Sequence, residues 1–198
     1  MIKHFMKESW LLIVASLFFG VLLAGTNTML APKIKQNEIE KFNSKARKLI
    51  DGATTFENVE ESIKLDSGEE VNIKKALDES GNLRGWAFAA EGSGFADKIK
   101  LVIAVDPAFE TIKGYGVLSS NETPGFGDKI GKPDYYFAKQ FAGTPAEKLT
   151  LSKTGNWKEK DSEIIAVSGA TITSDAVVSI FNDYIVPLKS KMQEKGLL

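Results

Sequence analysis

Cysteine is missing from the 198 residues, and histidine occurs once, at His4. Without a thiol the chain forms no disulfide, holds no iron–sulfur cluster through thiolates and offers no cysteine nucleophile. A lone histidine ahead of the first apolar run builds neither a His-bearing catalytic triad nor a multi-histidine metal site. Redox chemistry in this chain therefore needs an organic cofactor. An excess of one charge sign is missing too: 25 basic and 26 acidic residues leave a formal net charge of -1. No overall field draws such a chain to nucleic acid or anionic lipid. Internal repeats and low-complexity tracts are absent. The composition, 43% hydrophobic and 26% charged, is that of a globular domain with room for an accessory segment.

Charge is locally missing as well. From Ser9 to Pro32 the run SWLLIVASLFFGVLLAGTNTMLAP has no charged residue, and about 20 apolar residues suffice for a helix to cross the hydrocarbon layer. The alternative is a cleaved signal peptide. That h-region would be long, no A-x-A site stands out, and LLAG lacks the cysteine of a lipoprotein signal. A retained transmembrane helix is expected. Lys3 and Lys7 before the span favour a cytoplasmic N-terminus and an extracytoplasmic remainder. The expected organisation is a cytoplasmic N-terminus and single span over 1–32, a helical stalk over 33–52 and an extracytoplasmic domain over 53–198. The stalk gathers Ile34, Phe42, Ala46, Leu49 and Ile50 on one side and ends near Gly52.

From about Val71 the texture changes to strands: VNIKKALD, LRGWAFAAE, KIKLVIAVD and ETIKGYGVLS, separated by turn residues. They read as an antiparallel meander with one face packed and the other free. Trp86, Phe88 and Phe95, in and beside these strands, are expected in the core. A short helix is expected around Asp134 to Phe141, then strands LTLS and SEIIAV. A last helix, TSDAVVSIFNDYIVPLKSKM, should start near Ser174 and kink or break before Pro187. Strands followed by helices argue for an α+β domain, an antiparallel sheet with flanking helices.

Two segments carry candidate chemistry. In VSGATITSDAVVSIFNDY, a strand delivers the chain to Ser168, Gly169 lets the backbone turn, Ala170 leaves the approach open, and Thr171 stands by the helix start. Free N–H groups and the helix dipole favour a phosphate there. The plainer reading is that one of these hydroxyls caps the helix. The dipole contributes only about 0.3–1 kcal/mol at exposed sites, too little to retain a flavin or nucleotide alone. In ETPGFGDKI, Pro124, Gly125 and Gly127 let backbone approach a flat ring, with Glu122 and Thr123 offering polar contacts to its heteroatoms. Tyr115, Tyr135 and Tyr136 lie to either side in sequence. Trp157 sits in a turn, where it could shield a ring or touch a neighbouring subunit.

SGATITS before a helix resembles the flavinylation motif of FMN-binding domains, as in the G subunit of the Rnf complex and the C subunit of the sodium-pumping NADH:quinone reductase. ETPGFG resembles that family's ETPGLG loop, with Phe126 in place of the usual leucine. The resemblance spans the anchor, stalk, meander and both motifs, and the short chain is more similar to the Rnf protein. It implies FMN bound covalently by a phosphoester to Thr171, attached by a separate flavin transferase that uses FAD. It implies cofactor contacts from Ser168, Gly169, Ala170, Thr173, Glu122, Thr123, Pro124, Gly125 and Gly127. It implies an electron-transfer subunit of an ion-translocating ferredoxin:NAD oxidoreductase in a bacterial or archaeal cytoplasmic membrane, partnered by the other subunits. Relatives usually have an acidic residue three positions before the serine, where this chain has Ile165. The competing reading is an extracytoplasmic scaffold or binding subunit in which both segments are a plain cap and loop.

Overall fold

The computed structural model describes residues 2–59 and 62–198, with side chains from residue 9 onward; the charges of Lys3 and Lys7 lie outside the described side chains. The chain divides into two compact units, residues 1–41 and 42–198.

Helix α1, Ile2–Leu49, starts in the first unit and is continuous through Pro32. Its large apolar side chains from Trp10 to Leu30 are exposed, so no packing among the described residues accounts for their hydrophobicity. The hydroxyl residues Ser16, Thr26 and Thr28 among them bond back to the helix. Ser16 Oγ donates to the Ile13 carbonyl at 2.9 Å and Thr28 Oγ1 to that of Ala24 at 2.8 Å, which removes free hydroxyls from the surface. Among the described residues this is the one helix long and apolar enough to cross a membrane.

The second unit begins at Phe42, on the last turns of α1. Phe42, Ala46 and Ile50, four residues apart, are buried, whereas Ile34 is 51% exposed and does not join them. The strands then follow as β1 (Thr55–Asn58), β2 (Ile63–Lys64), β3 (Glu70–Val71), β4 (Ile73–Leu77), β5 (Leu83–Ser93), β6 (Lys98–Val105) and β7 (Ile112–Ser119). Five of them form an antiparallel sheet in the order β1-β4-β5-β6-β7, and β2 pairs with β3 beside it. Neither face is free. Val102 and Ala104 of β6, with Ala76, Ala87 and Leu118, pack against Phe42, Ala46 and Ile50. The alternate residues Leu101, Ile103 and Val105 face the main core with Trp86 and Phe88, as the two-residue period of a strand dictates.

Beyond a 3-10 turn, Gly127–Gly131, come α2 (Tyr136–Phe141), β8 (Thr150–Ser152), β9 (Glu163–Ile165) and α3 (Thr171–Glu194). The last two strands pair in parallel, Leu151 opposite Ile164. Helix α3 covers the main core with Val177, Ile180, Phe181, Ile185, Leu188 and Met192, all buried. Phe181 lies 4.5 Å, centroid to centroid, from Phe141, and Tyr115 meets both rings edge-on. Of the expected kink or break before Pro187, the break does not occur, because α3 runs on to Glu194. Burial of Leu188 and Met192 beyond Pro187, each contributing about 1.5–3 kcal/mol, offsets the roughly 3 kcal/mol that an internal proline costs.

Candidate functional site

Two side chains of α2, the buried Gln140 and the half-buried Tyr136, fix the approach to the SGAT segment. Gln140 accepts the Ile165 N–H at 2.7 Å and donates to the Ile165 carbonyl at 3.0 Å. Tyr136 donates its hydroxyl to the Ala166 carbonyl at 2.7 Å, and burial raises its pKa above the ordinary tyrosine value. The chain then reverses: the Ala170 N–H reaches the Val167 carbonyl at 2.9 Å, with Gly169 at φ +81°. A turn with positive φ at its third position is a glycine turn.

The four hydroxyls there have separate roles. Ala170 occupies the cap position, and no side chain caps it. Ser174 Oγ accepts the Val167 N–H and donates to the Ala170 carbonyl, both at 2.9 Å. Thr173 Oγ1 donates to Glu122 Oε2 at 2.6 Å. Ser168 is exposed. Thr171 is the first residue of α3, half-buried, and its hydroxyl has no hydrogen-bond partner among the described residues. The N–H groups of Thr171, Ile172 and Thr173 find no backbone acceptor among the described residues, so the positive end of α3 is open beside that hydroxyl.

A second glycine turn stands opposite. The Phe126 and Asp128 N–H groups both reach the Thr123 carbonyl at 3.2 Å, with Gly125 at φ +80°. Glu122 is buried, and besides Thr173 its carboxylate accepts the Ala96 N–H at 3.0 Å. Its oxygens are thus engaged within the protein and not turned toward the space that Thr123 faces. Phe126 packs on the turn across from it, 3.1 Å from where a Cβ on Gly169 would lie.

Between these segments opens a cleft of about 550 Å³, lined by Phe95, Thr123, Phe126 and Gly127 together with residues 169–173. Of the expected site residues, the cleft gathers Thr123, Gly127, Gly169, Ala170, Thr171 and Thr173. Ser168, Pro124 and Gly125 lie in the turns outside its lining, and Glu122 lies behind it. Phe95, expected in the core, is instead 62% exposed on the cleft wall, with Phe126 at 53% and Ile172 at 62%. Reading the sequence missed Phe95, Phe126 and Ile172 as site residues; Gly94, just past the end of β5 and next to Phe95, was the available signal for the first. Trp86 and Phe88 are buried as expected.

The remaining aromatics lie off the cleft. Tyr115 is buried in the core, donating to the Ile130 carbonyl at 2.7 Å, and burial raises its pKa. Trp157 is half-buried, 6.2 Å from the Tyr136 ring. Lys129 holds its ammonium 5.8 Å from both the Phe126 and Tyr135 ring centres. Exposed apolar walls on one part of a cleft and open helix N–H groups on another suit a flat conjugated ring carrying an anionic tail.

Comparison with known proteins agrees. The FMN-binding domain family matches residues 94–186, which include every residue lining the cleft. The G subunit of the ion-translocating oxidoreductase complex of Methanosarcina acetivorans is 32% identical over 187 residues, covering 92% of this chain and 95% of its own. The G subunit of the proton-translocating ferredoxin:NAD(+) oxidoreductase complex of Clostridium ljungdahlii is 30% identical over 161 residues, 80% of this chain and 77% of its own. Among solved structures, NqrC of Shewanella oneidensis superposes with a TM-score of 0.57 at 27% identity, covering 77% of this chain and 73% of that one.

Proposed function

Because the chain belongs to the family of G subunits of ion-translocating oxidoreductase complexes and carries an FMN-binding domain, we propose that it holds FMN covalently, as a phosphoester on Thr171, and carries electrons within such a complex. One observation supports this most: of the hydroxyls at the start of α3, Thr171 alone both lines the cleft and lacks a hydrogen-bond partner among the described residues.

Formation of the ester balances with FAD as the donor. Thr171 Oγ1 bonds to the FMN phosphorus, the pyrophosphate bond of FAD breaks, AMP leaves and the hydroxyl proton is released. A separate flavin transferase does this work. With FMN bound, the N–H groups of Thr171, Ile172 and Thr173 would donate to its phosphate oxygens, and Phe95, Phe126 and Ile172 would offer apolar surface to its ring. When bound, FMN supplies one- and two-electron redox chemistry. The chain positions that ring and performs no substrate chemistry of its own.

The charge-free run from Ser9 to Pro32 anchors the protein in the membrane, and the rest of α1 leads out of it as the stalk. The domain sits on the extracytoplasmic side, beside the other subunits of a ferredoxin:NAD oxidoreductase, as named for the C. ljungdahlii relative. Co-expression with a flavin transferase tests the reading. The denatured chain should run as a band that fluoresces under ultraviolet light. A dark band from a co-expression that flavinylates a control target would leave a scaffold protein.

A further inference from the structure

Glu122 holds its carboxyl group away from solvent. It is 5% exposed, and a buried carboxylate is tolerated only where donors compensate its lost hydration. Here the donors come from two distant parts of the chain: the Ala96 N–H, 3.0 Å from Oε1, and the Thr173 hydroxyl, 2.6 Å from Oε2. Its own N–H reaches Ser120 Oγ at 3.3 Å. The slot around it is shaped by glycine. A Cβ at Gly94 would lie 2.3 Å from Oε1, and one at Gly127 would lie 2.9 Å from both the Glu122 Cβ and Thr173 Oγ1.

We propose that Glu122 is the positioning residue of the cleft, acting through Thr173: it ties the loop bearing Phe95, the Pro124–Gly125 turn and the first turn of α3 into one frame without touching the flavin. The proposal rests on the flavin reading of the cleft and adds what holds it in shape. Helical geometry supplies the link to Thr171. Residues two apart on a helix point to widely separated directions. With Thr173 held inward on Glu122, Thr171 is presented outward to the cleft, and the rotation of the first turn, including its N–H groups, is set. The hydroxyl two positions after the attachment residue is therefore a latch and not a second attachment site. Phe95 follows from the same carboxylate, because the adjacent Ala96 amide is one of its donors.

The test uses the full chain in detergent, co-expressed with a flavin transferase, in three forms besides the wild type. Thr173→Val keeps the shape and removes the donor, Thr173→Ser keeps the donor, and Glu122→Gln puts an amide N–H₂ against one of the two donors. Thr173→Val and Glu122→Gln should take up flavin roughly tenfold more slowly, the scale of a lost hydrogen bond to a charged group. The flavin they do bind should show a shifted absorption band and faster depolarisation of its fluorescence. Thr173→Ser should restore both, which a purely space-filling role for Thr173 would not predict. Wild-type uptake and spectra in Thr173→Val overturn the proposal while leaving the flavin reading intact.

If even the wild type takes no flavin, the flavin reading fails and amide exchange in the flavin-free chain decides the frame. Faster exchange at Ala96 in Thr173→Val, restored by Thr173→Ser, supports it; equal rates overturn it. Should Thr173→Val fail to fold, Glu122→Gln carries the same two readouts.

Discussion

The Thr173 hydroxyl and the Glu122 carboxylate meet at 2.6 Å across 51 residues of sequence, while Thr171, two positions earlier, faces the cleft with its hydroxyl unbonded among the described residues. This division separates a residue that can be modified from one that is already occupied, and it has direct consequences.

Thr171→Ala should abolish covalent flavin and leave the domain folded. The side chain is half-buried and makes no hydrogen bond to the described residues, so the change in stability should stay within about 0.5 kcal/mol. Thr171→Ser should still be modified. Intact mass and a thermal melt check both points, and flavin retained by the alanine variant would move the attachment elsewhere.

The two turn glycines should respond differently. A Cβ at Gly125, at φ +80°, meets nothing within 4 Å, so Gly125→Ala should cost only the left-handed backbone penalty, roughly 1–2 kcal/mol. Gly169→Ala carries the same penalty and brings the new Cβ to 3.1 Å from Phe126. It should be the more destabilising in urea unfolding, and it should also alter the spectrum of bound flavin. The reverse order would contradict the packing of Phe126 on that turn.

Much of this fold is legible without coordinates. The meander follows from alternating strands, and the two turns follow from Gly125 and Gly169 beside Pro124 and Ser168. What local pattern does not reveal is where side chains go once distant segments meet. Glu122 reads as a free acid in a loop until Thr173 and Ala96 are folded onto it. Phe95 reads as core because aromatics usually bury, yet its loop stands at the cleft mouth. Pro187 reads as a helix kink or break because propensity is local, whereas the buried Leu188 and Met192 act through tertiary contacts and the helix continues. The second buried face of the sheet was hidden because its partners, Phe42, Ala46 and Ile50, precede the first strand and read as stalk.

The loop bearing Phe95 should depend on pH. Asp97 accepts from Asn121 Nδ2 and from the Lys98 N–H, both at 2.7 Å, and these bonds hold its carboxyl below the usual aspartate range. A pKa lowered by folding contributes stability above the unfolded value, about 3.9, and loses it as pH falls through the folded value. Amide exchange at Gly94, which bonds the Asp97 carbonyl at 2.8 Å, should accelerate at and below that range in the wild type. In Asp97→Asn the acid-induced step should vanish, and a step of the same size would assign it to another group.

Phe181→Ala should cost about 3–5 kcal/mol, the range for a fully buried aromatic, because the ring is 0% exposed and touches Phe141 and Tyr115. Chemical denaturation of the full chain in detergent measures it. A loss under about 1 kcal/mol, the size of a typical surface or mild substitution, would mean that α3 is not seated on the sheet as described.

The central claim is that FMN is bonded to Thr171, and the most direct measurement is peptide mass spectrometry on the chain purified from its native membrane. The account predicts that the tryptic peptide running from Asp161 to Lys189 gains the mass of one FMN less one water, with fragment ions placing the gain on Thr171. An unmodified peptide, or a gain placed on Ser168, Thr173 or Ser174, would contradict it.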